Sequence, residues 1–423
     1  MNDDNYGTML LEPLRGEPSG PPSIDVAKAM RDGRRMRRRW WAGGSGLLAA
    51  VAAVLVGGSL LLAPSGHDAP KPQPKLPPDP AVPASCVQQR LPMGKYHNIA
   101  VRGGDAAGRW HVGSGDPAPG KKSPVLIWRD GKLIAATPTP SELYLYDINS
   151  AGMAVGSNQT GLKYPYAYRD GNFIKLKGGV GEATAINDDG TIVGVLGRAG
   201  LDGGAVPVRW TSIDAEPERL PLPGGTARFF MVYDLAEDGT VMAQFTEQMG
   251  ALRGEVGYVW MPDGSLKRVL PPAAAGRMMT FQPIGLHYGW LYGEADSWST
   301  IQASPTNSAG VPQVREPGSM QTGYETSLYR FEPHSGTWQK LEDTAQVAVS
   351  APGARQQGME PAPTVYVGPK VLKLPTDAKP SIGAGFGFHL VTISEDGRTV
   401  AGTALSVVAD PILARIPVIW RCE

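Results

Sequence analysis

The segment AINDDGTIVG, residues 185–194, decides the fold of this chain. Two short apolar runs flank an Asn-Asp-Asp-Gly turn, which predicts a tight β-hairpin because Asn, Asp and Gly tolerate the backbone conformations that such turns need. Clear further copies are DINSAGMAVG at 147–156, DLAEDGTVMA at 234–243 and TISEDGRTVAG at 392–402. A hairpin motif that returns every few tens of residues indicates a repeat architecture.

The turn glycines of the motif define the period of the repeat. Including three weaker copies, they are Gly108, Gly152, Gly190, Gly239, Gly289, Gly353 and Gly397, spaced 44, 38, 49, 50, 64 and 44 residues apart. This period fits four short strands per unit. Two units depart from the pattern, since the turn at Gly289 is shortened and the unit at Gly353 has a polar ARQQG segment where an apolar strand is expected.

Each unit also contains a second hairpin with an aromatic residue in its first strand. PVLIWRDG at 124–131 and PYAYRDG at 165–171 are examples that end in Asp-Gly turns. The aromatic residues are Trp128, Tyr168, Trp210, Trp260, Tyr329, Tyr366 and Trp420. One aromatic per unit at a fixed register favours packing between units over the alternative, a sugar-stacking surface.

Four-stranded units repeated seven times resemble a β-propeller. The AINDDGTIVG motif together with PVxW segments resembles the HAF-type repeats of bacterial extracellular propellers, from about Cys86 to Cys422. The resemblance implies an all-β propeller of seven four-stranded blades. It implies little about activity, because propellers host many unrelated functions.

The ends of the repeat region predict how the ring closes. The last unit lacks a fourth strand because the chain ends at Glu423, whereas VQQRLP at 87–92 has the form of a fourth strand with no unit before it. We expect this N-terminal strand to complete the last blade. The chain's two cysteines, Cys86 and Cys422, would then meet at the joint and form a disulfide. Two free thiols or metal ligation are the weaker alternatives, because no matching histidine pair completes a zinc site.

An uncharged segment, WWAGGSGLLAAVAAVLVGGSLLLA at 40–63, predicts one transmembrane helix that acts as a signal-anchor. Arginines crowd its N-terminal side, at positions 31, 34, 35, 37, 38 and 39. By the positive-inside rule the N-terminus is cytoplasmic. A cleaved signal peptide is less favoured because the basic region lies far from Met1. The predicted organisation is a basic cytoplasmic tail (1–39), the span (40–63), a Pro-rich stalk (64–85) and an extracellular propeller (86–423), in a single-pass protein of the cell membrane.

Composition and motifs narrow the function classes. The chain has 40 basic and 40 acidic residues, so a nucleic-acid partner is not expected. Its six histidines form no HxH or HExxH spacing, and no nucleotide-binding or hydrolase motif occurs. We therefore expect no metal and no cofactor. The Asp-rich turns have too few oxygens at EF-hand spacing for calcium, which favours their role as hairpin turns.

The candidate ligand-binding residues follow from the register of the innermost strands. Residues four positions before the first apolar position of each unit should ring one mouth of the central channel, on the face that carries the variable loops. These residues are His97, Tyr144, Glu182, Gln282 and His389, with Met231 at the equivalent position of another unit and Trp298 in the long loop 294–326. A carboxylate such as Glu182 near the histidines is expected to favour their charged form. The alternative is that this mouth is polar only because water fills it.

Three functions are compatible with this sequence. The favoured one is a binding module at the cell surface that uses the His97, Glu182 and His389 face to recognise a glycan, peptide or protein. The second is a glycan-active propeller enzyme, a hydrolase or lyase, with Glu182 and a histidine as acid and base. Catalysis is less favoured because hydrolysis needs paired carboxylates, and only Glu182 is placed at this mouth. The third is a sensor that couples propeller occupancy to the cytoplasmic tail.

Overall fold

The computed structural model describes residues 78–115, 122–139, 142–197, 204–224, 227–249, 252–272, 277–299, 325–341, 363–376, 387–409 and 412–423. Every described residue belongs to the compact unit Pro70–Glu423. The regular structure of these residues consists of β-strands. The all-β prediction is therefore confirmed for this part of the chain.

The first three complete sheets follow one another along the chain. The first strand, β1 (Cys86–Arg90), belongs to the last sheet and is considered there. Sheet 1 contains β2 (Ile99–Gly104), β3 (Trp110–Gly115), β4 (Pro124–Arg129) and β5 (Lys132–Pro138). Sheet 2 contains β6 (Leu143–Ile148), β7 (Ala154–Asn158), β8 (Pro165–Arg169) and β9 (Asn172–Lys175). Sheet 3 contains β10 (Gly181–Ile186), β11 (Ile192–Leu196), β12 (Val206–Trp210) and β13 (Glu218–Arg219).

The remaining strands form three more sheets and one isolated hairpin. Sheet 4 contains β14 (Arg228–Leu235), β15 (Val241–Met249), β16 (Leu252–Trp260) and β17 (Leu266–Val269). Sheet 5 contains β18 (Arg277–His287), β19 (Trp290–Ser299), β20 (Glu325–Glu332) and β21 (Thr337–Lys340). The hairpin contains β22 (Thr364–Val367) and β23 (Lys370–Lys373). Sheet 6 contains β24 (Gly387–Ile393), β25 (Thr399–Ala409), β26 (Ile412–Cys422) and β1.

The blade count differs from the prediction. In the described residues there are six four-stranded antiparallel sheets rather than seven, and the remaining unit contributes only the hairpin β22–β23. Residues 342–362, which include Gly353, lie outside the described part of the chain. The ARQQG segment of this unit lacks the alternating apolar residues that bury the second strands of the other units.

The sheets pack face to face around a ring, which makes each one a propeller blade. The hairpin lies between sheets 5 and 6, because Tyr366 packs with Tyr292 of sheet 5 and Val365 packs with Phe388 of sheet 6. The ring closes where Ile419 of sheet 6 joins an apolar cluster of sheet 1. The fold is thus a β-propeller, with an apolar core at each junction between neighbouring sheets.

The aromatic residues of the third strands belong to these cores, as predicted. Trp128, Trp210 and Trp420 are fully buried, and Tyr329 is partly buried. The indole N–H groups each donate to a carbonyl just after the fourth strand of the preceding blade or the hairpin: Trp128 to Pro92 (2.7 Å), Trp210 to Lys177 (3.0 Å), Trp260 to Pro221 (2.7 Å) and Trp420 to Pro375 (2.7 Å). A buried indole needs such a partner, so this bond recurs around the ring.

The closure of the ring confirms the prediction made from the incomplete last unit. Strand β1 pairs antiparallel with β26, and Cys86 lies directly opposite Cys422. The two cysteines form a disulfide with a Cα–Cα distance of 4.0 Å. The N–H of Ala84 also donates to the carbonyl of Glu423. The N-terminal strand therefore completes the last blade, and a covalent bond joins the two ends of the propeller.

The tight turns also follow the prediction, with one refinement. In the second hairpins of sheets 1 and 2, Asp130 and Asp170 have φ of 51° and the glycine after each has φ of 78° or 84°. Two successive left-handed residues are what the predicted Asp-Gly hairpin turns require. In the Asn-Asp-Asp-Gly turn of sheet 3, only Gly190 has a positive φ.

The last residues of the predicted stalk contact the propeller. The carboxylate of Asp79 accepts two hydrogen bonds from the buried guanidinium of Arg330 on β20, at 2.6 and 2.9 Å. Val82 packs against the apolar cluster between the hairpin and sheet 6. Residues 78–85 therefore lie along the propeller rather than extending away from it.

The predicted transmembrane segment, residues 40–63, lies outside the described residues. Among the residues that the structure describes, no helix is long and apolar enough to cross a membrane.

Candidate functional site

The first strands of the six blades line the centre of the ring. Neighbouring first strands contact one another, β2 with β6, β6 with β10, β10 with β14, β14 with β18, and β24 with β2. Each of them contains at least one register shift, the mark of a β-bulge. Bulges re-aim the side chains that follow them, so the ends of these strands can present polar groups toward the axis.

A pocket opens where these six strands end, beside the turns that lead to the second strands. We call this side the turn end of the channel, and the side where the first strands begin the loop end. The pocket is open to solvent, and residues from all six blades line it. It is therefore a feature of the whole ring and not of one blade.

Five carboxylates line this pocket, which we call the acidic pocket: Asp105, Asp147, Asp234, Glu237 and Glu395. The three aspartates are buried, with 3%, 6% and 8% of their surfaces exposed, respectively. The two glutamates are exposed. Of the described residues that line the pocket, only His287 can become positively charged. The pocket therefore presents a negative field that favours cations.

Two of the aspartates join neighbouring blades through backbone hydrogen bonds. Oδ2 of Asp147 accepts the N–H of Ile186 in sheet 3, and Oδ2 of Asp234 accepts the N–H of Leu286 in sheet 5, both at 2.8 Å. The Oδ1 atom of each accepts the N–H of the residue that follows it. Both carboxylates thus stabilise the inner ring by satisfying buried backbone donors.

Asp105 differs from these two aspartates. Its Oδ1 accepts the N–H groups of Arg109 and Trp110, both at 2.7 Å. Its Oδ2 is buried and has no hydrogen-bond partner among the described residues. A buried carboxylate oxygen without a donor is unfavourable, so this atom is suited to accept a hydrogen bond from a ligand.

The carboxylates of the pocket shift one another's protonation. Burial, together with Glu237, raises the pKa of Asp234 to about 7, although hydrogen bonds from Leu286 and Leu235 oppose the shift. Burial raises the pKa of Glu395 to about 7, and Asp234 and Glu237 add to this. The side chain of Glu395 is 44% exposed, so solvent screens its charge more than that of Asp234.

The pKa values of Glu237 and Asp105 are raised as well. Burial raises the pKa of Glu237, with further contributions from Asp188, Asp189 and Asp105. Burial also raises the pKa of Asp105, and Asp188 adds to it. Nδ1 of His287 lies 3.9 Å from Oε1 of Glu395, too far for a hydrogen bond. Asp234 and Glu395 therefore ionise near neutral pH, and a cation close to them would favour their charged forms.

Metal ligation does not describe this arrangement. No three His, Cys, Asp or Glu side chains in the described part of the chain are placed to hold one metal ion.

The residues predicted from register lie at the loop end, and the structure gives several of them partners. The guanidinium of Arg102 stacks on the ring of Tyr144, with a distance of 4.7 Å to its centroid. Oε1 of Glu182 accepts a hydrogen bond from Nζ of Lys163 at 2.7 Å. Burial lowers the pKa of His389, and Arg102 lowers it further. The expectation that a carboxylate would favour the charged form of His389 is therefore wrong.

The other predicted residues differ in their exposure. His97 is exposed, whereas Gln282 and Met231 are partly buried. Trp298 lies in β19 opposite Met278, and its side chain lies outside the described part, as do residues 300–324 of the long loop. The structure leaves the predicted ligand-binding role of all these residues a hypothesis.

The acidic pocket was missed because its residues were interpreted as turn formers. Asp147 and Asp234 begin two of the clearest motif copies, DINSAGMAVG and DLAEDGTVMA, and Glu237 and Glu395 lie within turns of the same motif. The available signal was the recurrence of carboxylates at the same point of several units. In a ring, equivalent positions of different blades converge on the axis.

Comparisons with known proteins show a similarity of fold alone. No protein-family model matches the chain, and no curated protein matches it. Among solved structures, the β-propeller domain of the Trilobed protease from Pyrococcus furiosus is 11% identical with a TM-score of 0.44, over 75% of this chain and 97% of that one. An oligogalacturonate lyase in complex with manganese is 11% identical with a TM-score of 0.40, over 83% and 97% of the two chains.

A prolyl endopeptidase structure is 9% identical with a TM-score of 0.44, over 77% of this chain. The chain spans half the length of that endopeptidase, with 50% covered. At such identities the similarity says nothing of activity. The propeller assignment rests on the six four-stranded sheets and their ring of apolar cores.

Proposed function

We propose that this protein is a binding module: a propeller of HAF-type repeats, held outside the cell by a single membrane span, that binds a positively charged group of its ligand in the acidic pocket. The carrying observation is that carboxylates from four blades converge on one pocket in which the buried Oδ2 of Asp105 has no hydrogen-bond partner among the described residues. A positively charged group of the ligand would donate a hydrogen bond to this oxygen and would neutralise part of the negative charge of the carboxylates.

The extracellular location is supported by two features. The uncharged segment at 40–63 follows a cluster of arginines, which favours a cytoplasmic N-terminus. The Cys86–Cys422 disulfide is typical of an oxidising compartment. Protease added to intact cells should therefore digest the propeller and leave an N-terminal tag protected. Protection of both ends would contradict this topology.

Binding can be tested with an array of basic, neutral and acidic peptides probed with the purified full chain. We expect basic peptides to bind at pH 7.5 and the variant Asp105→Asn to lose this binding, because the amide keeps the shape of the side chain but not its charge. The matched control is Asp170→Asn, an exposed turn aspartate outside the pocket. Equal binding by both variants would show that the acidic pocket is not the binding site.

A second candidate function is acid–base catalysis on a glycan. The observation that favours it is the pKa of about 7 for Asp234 and Glu395, since a general acid works best near the operating pH. Against it, both oxygens of Asp234 already accept backbone hydrogen bonds. Release of reducing ends from an oligosaccharide panel, abolished by Glu395→Gln, would favour catalysis over binding alone.

A further inference from the structure

We propose that the group bound in the acidic pocket is a guanidinium, the side chain of an arginine. This inference rests on the proposed function, because it names the chemistry of the ligand that the same pocket binds.

The first argument is the position of the carboxylate oxygens that remain available. Oε2 of Glu237 accepts the N–H of Asp188, and Oε2 of Glu395 accepts the N–H of Tyr288, both at 2.9 Å. The acceptors that remain for a ligand are Oε1 of Glu237, Oε1 of Glu395, which lies 3.9 Å from Nδ1 of His287, and Oδ2 of Asp105. These three acceptors come from sheets 4, 6 and 1, so a ligand must offer donors in several directions.

The second argument is the number of donors. Glu237 is within electrostatic range of both Asp105 and Glu395. A guanidinium carries five N–H donors in a planar fork and can reach separated carboxylates at once. A lysine ammonium carries three donors on one nitrogen and is a compact point charge. Acceptors spread over three blades therefore favour the guanidinium.

The third argument is the burial of the acceptor on Asp105. A donor that reaches Oδ2 of Asp105 must give up its water, because this oxygen is buried. A guanidinium is weakly hydrated, whereas an ammonium is strongly hydrated and loses more on entering such a site. The burial of this oxygen thus favours an arginine over a lysine.

Binding should also release protons. The groups that face the carboxylates are Asp188, Asp189, Arg109 and His287. Burial raises the pKa of Asp234 and of Glu395 to about 7, so these two are partly protonated at that pH. A guanidinium stays charged throughout this range, so its arrival favours the charged form of Asp234 and Glu395.

The test uses isothermal titration of the full chain with three probes: acetyl-arginine amide, acetyl-lysine amide and the neutral acetyl-citrulline amide. We expect arginine to bind at least tenfold more tightly than lysine, and citrulline not to bind. Asp105→Asn and Glu237→Gln should each weaken arginine binding at least tenfold, and Asp170→Asn should leave it unchanged. At pH 6.5 the heat should differ between two buffers that both hold this pH but have different ionisation enthalpies, by an amount set by the number of released protons.

The outcomes separate this inference from the proposed function. If lysine binds as tightly as arginine, and Asp105→Asn weakens both, the pocket binds cations but the guanidinium assignment is wrong. If citrulline binds as tightly as arginine, or Asp105→Asn changes nothing, neither proposal holds. An arginine-containing peptide that binds far more tightly than the free probe identifies a protein partner, whereas equal affinities identify a small guanidinium compound as the ligand.

Discussion

The two ends of the channel contain similar residue types but differ in how their charges are balanced. At the loop end, Glu182 is paired with Lys163, and His389 lies near Arg102. At the turn end, five carboxylates share a pocket in which His287 is the one lining residue, of those described, that can become a cation. The protein itself compensates the charge of Glu182 at the loop end, whereas the described lining residues of the acidic pocket include no lysine or arginine.

This difference shows that the electrostatic environment of a residue in the propeller depends on residues from several blades. Each carboxylate of the acidic pocket would be an ordinary turn residue in an isolated hairpin. The ring brings carboxylates of four blades together, and burial then raises the pKa of Asp105, Asp234 and Glu395. The aspartates also differ there, because Asp147 and Asp234 join blades whereas Oδ2 of Asp105 has no hydrogen-bond partner among the described residues.

The largest loss of stability is expected on removal of the disulfide that closes the ring. This disulfide lies at the turn end of the channel, because third strands end and fourth strands begin there. Cys86→Ser with Cys422→Ser opens a loop with a sequence separation of 336 residues. In the chain-entropy model this lowers the free energy of unfolding by more than about 4 kcal/mol. Urea titrations of the variant and of reduced wild type should agree. An unchanged midpoint in either sample would contradict the covalent closure.

The second largest loss of stability is expected where the first strands of neighbouring blades approach closely at the turn end. A Cβ on Gly103 of β2 would lie 2.2 Å from the carbonyl oxygen of Tyr146 in the neighbouring blade. Gly103→Ala should therefore lower the free energy of unfolding by about 3 kcal/mol, because the two strands must separate. The control is Gly204→Ala, since nothing lies within 4 Å of its Cβ. Similar stabilities for the two variants would contradict the close contact between Gly103 and the strand that contains Tyr146.

Asp234 at the turn end and His389 at the loop end should respond to pH with opposite signs. The pKa of Asp234 is raised to about 7, so its contribution to stability is complete below about pH 4 and is lost as the pH rises to 7. The pKa of His389 is lowered, so its contribution is present above about 6.5 and is lost as the pH falls. The buried His111, whose pKa is about 3, acts in the same direction as His389.

Two variants separate these contributions in denaturation curves at pH 5 and 7.5. Asp234→Asn should destabilise the protein more at pH 5 than at pH 7.5, by a difference of about 2 kcal/mol. His389→Gln should destabilise it more at pH 7.5 than at pH 5. The same sign for both variants would remove the proposed contrast between the two ends.

The smallest effect is expected from the ion pair at the loop end. The side chains of Lys163 and Glu182 are 42% and 19% exposed, so Glu182→Gln should change the free energy of unfolding by less than about 1 kcal/mol. It should also leave ligand binding at the turn end intact. Loss of binding in Glu182→Gln, with Asp105→Asn unaffected, would move the site to the loop end and revive the interpretation based on register.

Much of the architecture could be predicted because it depends on local rules repeated along the chain. The Asp-Gly pairs require left-handed residues, as Asp130 and Gly131 show. One buried aromatic per unit predicted the cores, and the unpaired VQQRLP segment predicted the pairing of β1 with β26. The blade count was harder to predict, because the spacing of turn glycines cannot show how many strands each unit contributes; among the described residues there are six four-stranded sheets and one hairpin.

The sequence by itself determined that the chain is a β repeat, that its ends meet through Cys86 and Cys422, and which aromatic residues fill the cores. These features follow from turn chemistry, side-chain alternation and an incomplete last unit. Only the tertiary structure decided which end of the channel lacks compensating charge. Lys163 neutralises Glu182 from 19 residues away, whereas Asp105 and Glu395 are 290 positions apart and meet at the axis. Ring closure brings such groups together, and the number of residues between them in the sequence does not predict how far apart they lie in space.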